Sequence, residues 1–182
     1  MKPKETLKTL QVIERLGAKY SSPQYGFLTQ VRSSTGYQAV RTADAVAMSL
    51  WPSRGLHLTG FEVKVSRTDW LKELNDPAKA EEFSCYCHFW YLVVGDEEIV
   101  KTGELPTTWG LIVPSGKGLE IVKEATFNKN TMPIDYVVLA GFFRNFAEQS
   151  VAKELIESRL QAQYESGKDW AKYELERIKK DL

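Results

Sequence analysis

The sequence predicts a single α/β domain followed by a helical C-terminal extension, divided between residues 147 and 148. Three observations point there. Helical and strand-like apolar spacings alternate along residues 4–147, the pattern of a sheet covered by helices. The run His88-Phe89-Trp90-Tyr91-Leu92-Val93-Val94 is rich in aromatic and β-branched residues, as a buried strand requires. Beyond residue 147 the chain turns charged, while Ala171, Leu175, Ile178 and Leu182 keep an apolar stripe at helical spacing.

Residues 4–17 are expected to form the first helix, with Leu7, Leu10, Ile13 and Leu16 on one side and Gly17 as its stop. Ser21-Ser22-Pro23 marks a loop. Strands follow at residues 27–32 and 38–50, joined by the turn cluster Ser33-Ser34-Thr35-Gly36. Trp51-Pro52-Ser53-Arg54-Gly55 then turns the chain into a strand over residues 56–65. Ser66-x-x-Asp69 resembles a capping box and opens a helix through Trp70-Leu71-Lys72-Glu73-Leu74. Asp76-Pro77 opens another, over roughly residues 77–86. Residues 109–113 and 119–122 pair as a hairpin around Ser115-Gly116-Lys117-Gly118. Thr131-Met132-Pro133 starts a helix through Tyr136, Leu139, Phe143 and Phe146, and the last helical stretch is expected to break near Ser166-Gly167.

An apolar fraction of 43%, with eight Phe, eight Tyr and five Trp, is enough for a packed core. Formal net charge is zero, unlike a protein that coats nucleic acid. A protein that engages DNA through bound cations is compatible with that balance. Cys85 and Cys87 are the only cysteines and lie too close in sequence to pair readily, so nothing suggests an oxidising compartment. The charged start Met1-Lys2-Pro3-Lys4-Glu5 lacks an apolar signal core, and no run is long enough to span a membrane. The expectation is a cytoplasmic protein.

The residues that carry chemistry centre on Phe61-Glu62-Val63-Lys64-Val65. In a strand, Glu62 and Lys64 project from one face while Phe61, Val63 and Val65 project from the other. Asp44 sits between Ala43 and Ala45 in the preceding strand, where a buried carboxylate needs a metal or a basic partner. The intervening turn would bring Asp44 and Glu62 together. Mg²⁺ prefers hard oxygen ligands and keeps several waters. Asp44, Glu62 and the Val63 carbonyl would supply three ligands, and Lys64 would stabilise charge developing on a phosphate. Arg41, Arg54, Arg67, Lys72 and Lys79 fall near this point as candidate phosphate contacts. Cys85-x-Cys87-His88 has soft zinc-type ligands but no fourth partner, and reads as filling for the junction between helix and strand.

Asp44 with Glu62-Val63-Lys64 resembles the signature of the PD-(D/E)XK nuclease superfamily. The longer text is similar to the MmcB-like DNA-repair branch over roughly residues 40–147. It comprises Arg41-Thr42-Ala43-Asp44-Ala45, Phe61 to Trp70, Asp76-Pro77-x-Lys79, Tyr91 to Val94, Trp109 to Val113 and Glu124-Ala125. The resemblance implies a restriction-endonuclease-like core, a central mixed sheet flanked by helices. It implies Mg²⁺- or Mn²⁺-dependent hydrolysis of DNA, with Asp44 and Glu62 as ligands and Lys64 assisting the water. Glu14 is the candidate for an additional acid from the first helix, and Lys79 for a polar residue from the helix behind the motif. Ala43 replaces the Pro of the signature. Lys79-x-x-x-Phe83 replaces the Gln-x-x-x-Tyr of recombination-type exonucleases, so the expected activity is an endonuclease in repair or in microbial or phage DNA processing. The alternative is a catalytically silent module that binds nucleic acid or a protein partner. The C-terminal helix is expected to pack on the core or on a second copy as a homodimer.

Overall fold

A computed structural model describes residues 6–32, 42–75 and 83–180. The chain is α/β. Its six-stranded mixed sheet runs in the order β1 (Tyr25–Arg32), β2 (Thr42–Ser49), β3 (Leu58–Lys64), β4 (Phe89–Val94), β5 (Gly110–Ser115) and β6 (Gly118–Lys123). β1–β2–β3 is an antiparallel meander, β3–β4 and β4–β5 are parallel, and β5–β6 closes the far edge as an antiparallel hairpin. The parallel steps are crossovers, as parallel neighbours demand. Helices α1 (Thr9–Lys19) and α2 (Arg67–Leu74) accompany the sheet, and α3 (Tyr136–Lys180) follows it in the chain.

The chain divides into two compact units, residues 1–145 and residues 146–182. The first contains the whole sheet, α1, α2 and α3 up to Asn145. The second continues as helix to Lys180 without the break expected at Ser166-Gly167. One helical glycine costs about 1 kcal/mol relative to alanine, too little to stop a helix with strong helix formers on both sides. The apolar side chains expected at Ala171, Leu175, Ile178 and Leu182 lie outside the described residues, as do Arg41, Lys79 and most of the helix expected over 77–86.

β3 organises the packing. Phe61 and Val63 enter a core with Ala45, Ala47, Tyr91 and Val93, closed from above by Val12 and Leu16 of α1. Leu92, Val94 and Val113 line the opposite face, under Trp70 of α2. Buried Val12 and Leu16 set the phase of α1, which leaves Leu10 exposed, against the expected stripe. The helix also runs past Gly17 to Lys19. α3 starts later than expected. The Asp135 carboxylate accepts the Val137 and Val138 amides at 2.9 Å each, capping the helix in place of Thr131.

Candidate functional site

The turn Trp51–Gly55 folds β2 back on β3, with Ala45 opposite Phe61 as the outermost pair of that ladder. Asp44 and Glu62 stand at the next position on the two strands. There the ladder gives way to a side chain: the Val63 amide donates to Asp44 Oδ2 at 2.8 Å. The acid that looked out of place in an apolar strand thus takes over a main-chain hydrogen bond. Its other oxygen, Oδ1, accepts from Gln30 Nε2 at 3.3 Å. Gln30 has φ of 53°, a left-handed conformation rarely adopted by residues with a Cβ, and it lies between the pairs Thr29–Ala45 and Val31–Ala43. A strained residue directed at the site was not legible in the sequence.

Two residues on, Lys64 Nζ lies 2.6 Å from Glu62 Oε1 and 3.0 Å from Glu73 Oε2. Glu73 is a buried charged residue on α2, positioned by the Ser66 cap, whose hydroxyl accepts the Asp69 amide. Two carboxylates, Glu62 and Glu73, therefore hold one ammonium, and the charge of Asp44 acts on Glu62. Burial pushes the Glu62 carboxyl up to about 7, reinforced by the charge of Asp44 and opposed by Lys64. Burial also works against the Lys64 charge, but Glu62 and Glu73 overcome it and hold the ammonium above its ordinary range.

This donor set suits a hard divalent cation. Two carboxylates whose charges oppose each other lie in a partly desolvated position, and a residue's carbonyl points to the same side of its strand as its amide. The Val63 amide faces Asp44, so the Val63 carbonyl faces the same place. Among the described residues no three His, Cys, Asp or Glu side chains are arranged to hold a metal. A cation here would rest on Asp44, Glu62 and a backbone oxygen, a ligand economy that Mg²⁺ tolerates because it keeps several waters.

Two of the expected site residues are elsewhere. Glu14 is exposed and lines a depression with Arg15, Lys19 and Lys117. It cannot serve as the additional acid, because α1 packs on the Phe61 and Val63 face while Glu62 and Lys64 project from the other. Arg67 is not left for a phosphate: its guanidinium makes a bidentate pair with Glu104 and donates to the Ile99 carbonyl at 2.8 Å. That pairing, helped by the Lys101 amide and Trp70 Nε1, holds the Glu104 carboxyl down at about 2. Cys87 is buried with its thiol against the Phe83 carbonyl, and burial pushes the thiol up, away from the thiolate a zinc ion would need. Glu73 and Gln30 are the residues that the sequence reading missed.

No protein-family model and no curated protein sequence matches the chain. Among solved structures it resembles a protein of unknown function from Silicibacter pomeroyi, with a TM-score of 0.54 at 18% identity over 84% of this chain and 90% of that one. At that identity the likeness shows a shared fold. Among the described residues, no helix is long and apolar enough to cross a membrane.

Proposed function

We propose that the chain is a Mg²⁺- or Mn²⁺-dependent nuclease that hydrolyses DNA, built on a restriction-endonuclease-like core. The observation that carries this reading is the convergence of Asp44 and Glu62 from adjacent strands, with Lys64 on the Glu62 face. Asp44, Glu62 and the Val63 carbonyl would hold the cation. When bound, it supplies Lewis acidity at the scissile phosphate. The Val63 amide and Gln30 fix the Asp44 carboxylate before any ligand arrives. Lys64 presents a proton donor and a positive charge where the phosphate becomes more negative. Glu73 holds that ammonium in place from α2. The endonuclease reading rests on the resemblance to the MmcB-like branch.

A second reading has one observation in its favour. Lys64 is already neutralised by two carboxylates, as suits a silent module that binds nucleic acid or a protein without cutting. In the second unit, exposed Ile156, Leu160 and Tyr164 share one helix side and would serve a homodimer, checked by the solution mass of the chain with and without residues 148–182.

The test of the leading reading is a titration of Mg²⁺ and Mn²⁺ with single-stranded, duplex and branched DNA. Metal-dependent cleavage is expected, reduced at least ~10²-fold in Asp44→Asn and in Lys64→Ala. DNA binding without cleavage of any substrate would transfer the assignment to the silent module.

A further inference from the structure

On the same sheet face as Glu62, at the opening ends of β4 and β5, lies a cavity of about 330 Å³, near the lower end for small-ligand pockets. Its walls include Trp90, Trp109, His88 and Phe127, with Thr108 and Lys129 among the polar residues. Trp90 is buried, whereas half-buried His88 and Trp109 and exposed Phe127 offer faces on which a flat ring can stack.

The decisive atom is Trp90 Nε1. It is buried and has no hydrogen-bond partner among the described residues, and Trp90 as a whole is only 6% exposed. An orphaned buried donor costs about 1–3 kcal/mol and calls for an acceptor. Its direction follows from β3. A Cβ at Gly60 would lie 2.2 Å from Trp90 Cζ3 and 2.4 Å from Cε3, so that edge of the indole lies flat against the glycine. Nε1 is on the opposite edge of the ring. It therefore lies on the side of the ring away from β3, the side of β5, where the Trp109 ring packs 6.0 Å from the Trp90 ring, centroid to centroid.

Other donors line the cavity. His88 Nδ1 accepts the Leu58 amide at 3.1 Å, which leaves the hydrogen of the neutral ring on Nε2. Lys129 is exposed on the cavity wall and forms no ion pair among the described residues. The lining thus combines aromatic faces, N–H and O–H donors, and a cation.

We propose that this cavity takes one unstacked nucleobase of a single DNA strand, with the adjoining phosphate towards Lys129. Ring nitrogens and carbonyl oxygens of a base are the acceptors that Trp90 Nε1 lacks, and every base has a face to stack. Gly60 pairs with Trp90, and Glu62 with Leu92, in the parallel register. The cavity therefore lies on the order of 10 Å from the carboxylates across one face, about two strand spacings away. The base site stands independently of the Asp44 chemistry. Its role in selecting single-stranded or locally opened DNA rests on the nuclease reading.

The test is quenching of intrinsic tryptophan fluorescence by short single-stranded oligonucleotides, with a blunt duplex of the same sequence alongside, all in EDTA. Single strands are expected to quench and bind. Trp90→Phe keeps a ring over Gly60 but removes the donor, and should weaken binding about fivefold without lowering the melting temperature. Phe127→Ala, at an exposed wall position, should cost about tenfold, and Lys129→Ala should flatten the salt dependence. The duplex should show none of these losses. Equal effects on duplex and single strand, wild-type binding by the variants, or no quenching by any single strand would overturn the proposal. EDTA keeps the two readings separable: binding lost in cavity variants concerns the cavity, whereas binding retained without cleavage in Mg²⁺ concerns the carboxylates.

Discussion

The two faces of β3 do opposite work with alternate residues of one seven-residue strand. Phe61, fully buried, sits 4.9 Å from the Tyr20 ring and 6.2 Å from that of Tyr91, centroid to centroid, and Val63 packs beside it in the apolar core. Glu62 and Lys64, one residue away in each case, place two opposite charges at low exposure on the other face. The first face gains from every apolar contact it makes. The second holds a carboxyl that its surroundings would prefer neutral. A strand can carry both because its side-chain period is two and because α1 covers one face while α2 covers part of the other. Substitutions on the two faces should therefore separate stability from activity, and with opposite signs.

The largest expected effect is on the apolar face. Phe61→Ala removes a fully buried ring from between Tyr20 and Tyr91 and leaves a cavity that alanines 45 and 47 are too short to fill. It should cost about 3–5 kcal/mol, read from the urea midpoint. A loss under about 1 kcal/mol would mean that this face is not the organising core and would break the contrast.

The contrast sharpens at Glu62. The folded chain keeps the Glu62 proton up to about pH 7, whereas the unfolded chain releases it near the ordinary value of 4.5. Folding stability therefore falls as pH rises through that window, the reverse of an ion-paired carboxylate with a depressed pKa. Glu62→Gln resembles the protonated form. It should match the wild type near pH 5, be more stable at pH 8 by about 1–3 kcal/mol, and have no cleavage activity. Thermal melts at the two pH values, with and without Mg²⁺, check this. Added Mg²⁺ should raise the wild-type melting temperature at pH 8 and leave that of the variant unchanged. A variant less stable than wild type at pH 8 would show that the Lys64 pair outweighs burial and the charge of Asp44.

How much of this was legible in the sequence follows from how far each partner lies along the chain. The β2–turn–β3 hairpin, the Ser66 cap and the alternation of β3 are local, and they were readable. The β5–β6 hairpin was readable for the same reason. Gln30 meets Asp44 only through the register of β1 on β2, and its left-handed φ leaves no trace in residue type. Arg67 looked like a phosphate contact because Glu104 lies 37 residues away and no local spacing links them. Glu14 entered as a candidate through the family resemblance, and which sheet face α1 covers depends on Val12 and Leu16 packing with Phe61 and Val63, residues far away in the chain. The orphaned Trp90 donor depends on an indole edge packed on Gly60, which is a fact of packing alone.

Glu73 is the most instructive omission, and it carries the smallest predicted effect. Within Trp70-Leu71-Lys72-Glu73-Leu74 it reads as a solvated helix charge. Trp70, three residues earlier, is buried under β4, and the helical repeat turns Glu73 to the same side. There it meets Lys64 at 3.0 Å instead of water. If Glu73 positions Lys64, then Glu73→Gln keeps the shape and a hydrogen-bond acceptor but removes one of the two carboxylates that hold the ammonium above its ordinary range. Cleavage should fall by about tenfold, less than for Lys64→Ala, with KM for DNA little changed. The alkaline limb of the pH–rate profile should move to lower pH, because Lys64 would lose its proton more easily. A purely structural Glu73 would change the melting temperature and leave that limb where it was. A shifted limb with an unchanged melting temperature would place Glu73 with Glu62 and Lys64 on the chemical side of the strand, although it comes from a different element.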